Sequence, residues 1–287
     1  MVLGSIEAGG TKIVCAVGNE QGEIYDSINI PTETPEITIP KIIDFFQQHD
    51  IQAVGIGSFG PIDIKKNSKT FGYILQTPKL AWRNYPFLDA IRDGVKVPCA
   101  FTTDVNIAAI GEYTHGAAKD VNSCLYITVG TGVGAGAIIN GELLEGISHP
   151  EMGHIIVKRH PKDSFEGSCP IHQDCLEGLA AGPAIEKRWG KKGIELSDRE
   201  EVWELEAYYL AQAIAQYIMI LVPEKVILGG GVANQASLIG KVREKVHDHL
   251  KDYFVTPEIN EYIVTPELKN NAGIVGGVVF ADRLVRK

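Results

Sequence analysis

Three glycine-rich turns, each at the end of an apolar strand-like run, constrain this chain more than any other feature. Residues 2–6 run into Glu7-Ala8-Gly9-Gly10, and residues 11–17 return. Residues 124–129 run into Gly130-Thr131-Gly132, and residues 133–139 return. Residues 226–228 run into Gly229-Gly230-Gly231. Any one such turn is most simply a hairpin or bend. The first two share a strand–turn–strand layout, which hints at a duplicated unit with a phosphate-sized turn in each half. Helical spacing at 37–48, 104–113, 176–189, 199–221, 235–253 and 272–284 alternates with short strands at 53–56 and 97–101. That alternation predicts an α/β fold. The expected organisation is a small N-terminal α/β domain over 1–110, joined by a C-terminal helix over 272–287, and a large α/β domain over 111–271.

Totals narrow the function classes. The chain has 287 residues, 45% hydrophobic and 22% charged, which is ordinary for a folded globular protein. Its net charge of −9 argues against a nucleic-acid partner, which calls for a basic face. Phosphate is another matter, because backbone N–H groups hold it without net positive charge. No run approaches ~18 apolar residues, so no membrane span is expected. No secretory leader is visible at the N-terminus, and the expected location is the cytoplasm. Five cysteines in a chain this long do not resemble a disulfide framework. Cys15, Cys99 and Cys124 lie in apolar runs and read as buried thiols.

Glycine lets backbone approach a ligand closely, so Gly9 and Gly10 fit a phosphate, with Thr11 offering a hydroxyl and Lys12 a cation. Thr131 and Gly132 repeat those attributes. Gly229, Gly230 and Gly231 are read as passing from strand to helix, where the helix dipole favours an anion. Gly55-Ile56-Gly57-Ser58-Phe59-Gly60 fits the dinucleotide pattern G-x-G-x-x-G, but Pro61 follows at once and no clear helix opens. No G-x-x-x-x-G-K-[ST] is present. Asp104 stands between an apolar strand and a helix, where Asp is commonly an N-cap. His154, Cys169, His172 and Cys175 carry ligand-type side chains at short spacings and make a reasonable tetrahedral Zn²⁺ set, with His160 a rival for the fourth place.

Taken together, the Glu7–Lys12, Gly130 and Gly229 turns resemble the two phosphate motifs and the adenosine motif of the actin–hexokinase superfamily. The nearer resemblance is to the ROK family (repressors, open reading frames, kinases) of bacterial sugar kinases. It is carried also by Gly57-Ser58-Phe59-Gly60-Pro61-Ile62-Asp63, Thr77-Pro78-Lys79-Leu80 with Trp82, Asp104-Val105-Asn106, Glu151-Met152-Gly153-His154 and Cys175-Leu176-Glu177-Gly178. These run in order along nearly the whole chain, and the opening is most similar to the family's fructokinases. The resemblance implies a duplicated actin-like, ribonuclease H-like ATPase fold with two domains and an interdomain cleft. It implies transfer of the γ-phosphoryl group of ATP, with Mg²⁺, to a hexose, fructose at its 6-hydroxyl being favoured over glucose, mannose or an N-acetylhexosamine. Asp104 matches the family's catalytic base. Gly60, Pro61, Thr103, Asn106, Glu151, His154 and Glu177 fall to the sugar site, although family glucokinases often have Asn where Thr103 stands. Glu7 replaces an Asp associated with the Mg²⁺–phosphate region. ROK proteins hold a structural zinc with one His and three Cys; His172 here takes the place of one Cys. A homodimer is implied by the family alone. Two other readings stay open at this point: a sugar-sensing repressor, which in this family carries an added N-terminal DNA-binding segment, and a catalytically silent sugar-binding module.

Overall fold

Both glycine hairpins form, and each belongs to a five-stranded sheet. The computed structural model describes residues 1–286; Lys287, the last residue of the expected terminal helix, lies outside the described residues. The first half holds β1 (Leu3–Ala8), β2 (Lys12–Gly18), β3 (Ile24–Pro31), α1 (Pro35–Gln47), β4 (Val54–Ser58), α2 (Phe87–Val95), β5 (Cys99–Thr103) and α3 (Asp104–His115). Next come β6 (Cys124–Val129), β7 (Val133–Ile139), β8 (Glu142–Leu143), α4 (Leu176–Ala180), α5 (Gly182–Trp189) and α6 (Glu200–Leu221). The chain ends with β9 (Lys225–Gly229), α7 (Leu238–Leu250), α8 (Ile259–Tyr262), β10 (Ile263–Val264) and α9 (Ala272–Val285). The sheets run β3-β2-β1-β4-β5 and β8-β7-β6-β9-β10, the same order of pairing twice over. In both, an antiparallel hairpin is followed by two parallel additions beside its first strand.

The chain divides into two units. The first takes in Met1–Asp120, Leu143–Pro150 and the chain from Glu267 onward; the second takes in Val121–Glu142 and Glu151–Pro266. The division therefore falls after Asp120 instead of near Gly111. Gly111 is an interior residue of α3, and a Cβ there would lie 2.2 Å from the Ala272 carbonyl oxygen of α9. A boundary cannot cut a helix packed that tightly.

In the first unit β1 is buried on both faces, and side chains alternate across it with period 2. Ile6 and Ala8 join the core made with Phe45, Phe46, Trp82 and Phe87. Leu3, Ser5 and Glu7 face the other way, onto α9. Leu3 clusters with Val278 and Ala281, and a Cβ on Gly277 would lie 2.0 Å from Ser5 Oγ. The pleat thus aims Glu7 at the first turn of α9. Glu112, wholly buried in α3, ties in the segment that leads to α9. Its Oε2 accepts from the backbone N–H groups of Ala117 (2.8 Å) and Glu267 (3.1 Å), and its Oε1 from that of Leu268 (2.9 Å).

The second unit is built round β6 and β9 with α6 buried along one side. Tyr217 of α6 donates its hydroxyl to the Met152 carbonyl. Asp163 anchors the long loop before α4, accepting from the Tyr209 hydroxyl at 2.6 Å and pairing with Arg188 at 3.1 Å. Two expectations change here. The helix expected over 176–189 is broken at Ala181, which is extended (φ −73°, ψ 159°), because Pro183 lacks an N–H and restarts the chain as the first turn of α5. The helix expected from residue 235 begins at Leu238, so the Gly229 turn opens onto a bend and not directly onto a helix. No described helix is long and apolar enough to cross a membrane.

Candidate active site and metal centre

In the first unit the register sets the site. Ala8 lies opposite Ser58, and Ser58 opposite Thr103, so three parallel strands end level. The residues that follow, Gly9-Gly10, Phe59-Gly60-Pro61 and Asp104, emerge side by side at the carboxyl edge. Open α/β sheets bind ligands at that edge. The Phe59 N–H donates to the Ala8 carbonyl (2.7 Å) and the Leu75 N–H to the Pro61 carbonyl (2.8 Å), which fixes Gly60 and Pro61 against this edge. The Gly9 N–H donates to the Lys12 carbonyl at 2.9 Å and closes the turn, leaving Gly10, Thr11 and Lys12 exposed.

Asp104 is the first residue of α3 and not its cap. Thr103 caps the helix, its hydroxyl accepting from the Asn106 N–H at 3.2 Å. The Asp104 carboxylate is half-buried, and Oδ1 accepts from the Val105 N–H at 2.8 Å. An anion is stabilised there by the helix dipole. Asn106 is 1% exposed, and its side-chain N–H donates to the Thr102 hydroxyl at 2.9 Å, so it braces the strand–helix junction. Glu7 sits beneath Gly273, where a Cβ would lie 2.3 Å from its carboxyl carbon. Burial pushes the Glu7 carboxyl above the usual range, and nearby Lys12 opposes that shift. The G-x-G-x-x-G pattern has a packing cause: Cβ atoms at Gly55 and Gly57 would lie 2.0 Å from the Gly277 carbonyl oxygen and 2.3 Å from Ile107.

In the second unit, the Gly130 and Gly229 turns meet in the same way. Thr128 lies opposite Gly229, and the Val232 N–H donates to the Val129 carbonyl at 2.9 Å. Gly230 has φ +94°, and a Cβ there would lie 2.4 Å from the Val129 carbonyl oxygen, so only glycine lets the two turns touch. Gly182, a residue missed in the sequence reading, joins them: its N–H donates to the Gly130 carbonyl at 2.7 Å. The signal for it was Gly-Pro at a helix start, where a backbone N–H points outward.

Glu177 of α4 is bound to the Gly130 turn. Its Oε2 accepts from the Val133 N–H at 3.0 Å, and a Cβ on Gly132 would lie 2.6 Å from the same oxygen. Glu151 is exposed, and its carbonyl accepts from the His154 N–H at 3.0 Å in a short 3₁₀ turn over Met152–His154. That turn presses on β7, since a Cβ on Gly153 would lie 1.8 Å from the Val133 carbonyl oxygen.

The four sequence-predicted metal ligands converge. His154, Cys169, His172 and Cys175 place their ligand atoms within 4.8 Å of one another. His154 Nδ1 lies 3.4 Å from Cys175 Sγ and 3.7 Å from Cys169 Sγ. A tetrahedral ion with Zn–N near ~2.0 Å and Zn–S near ~2.3 Å gives N···S edges of about 3.5 Å, so the residues fit a metal of that size. The His172 N–H also points at Cys169 Sγ, at 3.4 Å, as suits a thiolate. Burial pushes the Cys175 thiol up to about 11, and an adjacent cation would favour the thiolate instead. His160 stands apart from the group: its Nδ1 accepts from the Lys162 N–H at 3.2 Å, and its ring packs on Tyr208. The loop over residues 169–175 leads straight into α4 and Glu177.

Two sheets of one topology, each with glycine turns at the carboxyl edge of its parallel strands, define the duplicated actin-like ATPase fold. The ROK family model matches residues 3–283, and the chain belongs to the ROK family. It is similar to bacterial fructokinases. A protein of Bacillus subtilis (strain 168), provisionally named a fructokinase, is 55% identical over 99% of this chain and 97% of its own length. A fructokinase of Pediococcus pentosaceus is 46% identical over 100% of this chain and 99% of its own. A crystal structure of a ROK family glucokinase from Streptomyces griseus, in complex with glucose and AMPPNP, superposes with a TM-score of 0.79 at 26% identity, covering 99% of this chain and 100% of that one.

Proposed function

We propose that this chain transfers the γ-phosphoryl group of ATP to the 6-hydroxyl of fructose. It is an ATP-dependent hexose kinase of the ROK family. The reading is supported above all by the level carboxyl edge of β1, β4 and β5, which sets a phosphate-sized turn beside a carboxylate that is not needed as a helix cap. Full-length similarity to fructokinases favours fructose over other hexoses.

In the proposed reaction Asp104 accepts the proton of the sugar hydroxyl. The hydroxyl oxygen attacks the γ-phosphorus, the bond to the bridging oxygen breaks, and ADP leaves. In this reading Gly9, Gly10, Thr11, Lys12, Thr131 and Gly132 are the residues that serve the phosphates. Gly229, Gly230 and Gly231, with Gly182, hold the nucleoside end. Mg²⁺ brought with ATP would neutralise charge on the phosphates, and Glu7 is the carboxylate of the first unit suited to orient it. Gly60, Pro61, Thr103, Glu151, His154 and Glu177 hold sugar hydroxyls, carboxylates being apt acceptors from a polyol. Asn106 supports them from beneath. The metal of the four-ligand loop is assigned as a structural zinc with no open position. The working protein is assigned as a cytoplasmic homodimer.

The test is ADP release with ATP–Mg²⁺ over a panel of hexoses. Fructose should give the highest kcat/KM. A clear preference for glucose, mannose or an N-acetylhexosamine would reassign the substrate, and no sugar-dependent release would overturn the kinase reading. For the loop, protein purified without added zinc should carry about one zinc per chain, and Cys175→Ser should lose both the metal and thermal stability. Trace metal in a fully active preparation would remove the zinc assignment.

A further inference from the structure

Lys79 lies between β4 and α2, away in sequence from the glycine turns, yet its side chain crosses the first of them. A Cβ built on Gly10 would sit 3.6 Å from Lys79 Cε, so the end of the aliphatic stem lies over the turn. The backbone that presents it is firmly held. Lys79 donates its N–H to the hydroxyl of Thr77, itself 2% exposed, at 3.4 Å. Arg83 Nε–H donates to the Thr77 carbonyl at 2.7 Å. Buried Trp82 donates its indole N–H to the Glu33 carbonyl at 2.7 Å. The neighbouring Thr32 grips the glycine turn itself, donating its hydroxyl to the Gly9 carbonyl (2.8 Å) and its N–H to the Thr11 carbonyl (3.0 Å). The turn and the lysine segment therefore hang from one point, the end of β3.

The charge at this point runs against that of the chain, which carries 36 acidic and 27 basic side chains. Lys12 and Lys79 both stand at the turn, and neither joins an ion pair among the described residues. The acids nearby are otherwise placed: Glu33 pairs with Lys41 at 2.8 Å, and Glu7 is half-buried beneath Gly273. A lysine whose stem lies over an exposed glycine turn, with no acid partner among the described residues, is suited to a phosphate oxygen. Its ammonium acts there as a point charge.

Resting on the kinase reading above, we propose that Lys79 is a second phosphate-binding cation, reaching over Gly10 to the terminal phosphate of the bound nucleotide. The measurement is calorimetric titration of AMPPNP–Mg²⁺ and, separately, ADP–Mg²⁺ into the full chain without sugar. Lys79→Met keeps the stem and removes the charge; Lys79→Arg keeps the charge; Lys79→Gln is a second neutral variant. The neutral variants should weaken AMPPNP by about tenfold and ADP by less than about threefold, with the arginine variant recovering most of the loss. Melting temperatures should stay near that of the parent. Neutral variants that bind AMPPNP as the parent does, or that lose both nucleotides equally, would overturn the assignment of Lys79 while leaving the kinase reading in place. A parent chain that binds neither nucleotide would overturn both.

Discussion

Asp104→Asn should cut kcat with fructose and ATP by about 10²- to 10⁴-fold, while the dissociation constant for fructose changes by less than about threefold. Asn is isosteric with Asp, and its carbonyl oxygen can still accept from the Val105 N–H, as Oδ1 does at 2.8 Å. What it lacks is the capacity to take a proton from the attacking hydroxyl. The helix should be unaffected in outline, because Thr103 caps it through the Asn106 N–H at 3.2 Å. The loss of one negative charge from the first turn of α3 costs about 0.3–1 kcal/mol at most, too little to unfold the unit. Rate and stability are therefore separable at this position. A rate within about twofold of the parent would remove Asp104 as the base. A collapse in melting temperature together with rate would mean that the carboxylate is structural after all.

Much of this was legible in the sequence because the informative features were local. A glycine turn between two apolar runs needs little beyond its own residues, so both hairpins and the strand before Gly229 fell where they were expected. The spacing of Cys169, His172 and Cys175 is local as well, although only the fold could choose His172 over His160 to stand with His154 and the two cysteines. What escaped was set by distant backbone. Gly55 and Gly57 matched a dinucleotide pattern, but α9 and α3 are what they make room for. Gly182 looked like the interior of one long helix, and its N–H became visible as a partner of Gly130 only when Pro183 split that helix in two. Glu177 reads as a sugar ligand in the sequence, and the hydrogen bond that its carboxylate accepts from the Val133 N–H, which ties it also to the Gly130 turn, joins residues far apart in sequence. In each case a residue's chemistry was plain and its neighbour was not.

Gly276→Ala should be the most damaging single methyl in the first unit. A Cβ on Gly276 would lie 1.7 Å from the Ile107 carbonyl oxygen and 2.7 Å from the Gly111 nitrogen, so it would meet the backbone of α3 and not a side chain that could turn aside. Alanine gains about 1 kcal/mol over glycine in a helix by propensity. Relief of the clash requires α9 and α3 to separate, and overpacking of a close-packed interior costs about 1–3 kcal/mol or more even where side chains can adjust. With two backbones in contact the net loss should reach about 3 kcal/mol, a fall in melting temperature of roughly 6–12 °C for a protein of this size. Gly240→Ala is the matched control. Gly240 lies in the first turn of α7 with nothing within 4 Å of its added Cβ, so the same methyl should be neutral or mildly stabilising there. Activity should follow stability only at the first position. Moving α9 moves Gly273, whose missing side chain gives the Glu7 carboxyl its place, so Gly276→Ala should depress turnover even at temperatures where the protein remains folded. Equal melting temperatures for the two variants would show that the α3–α9 contact yields more easily than its geometry implies.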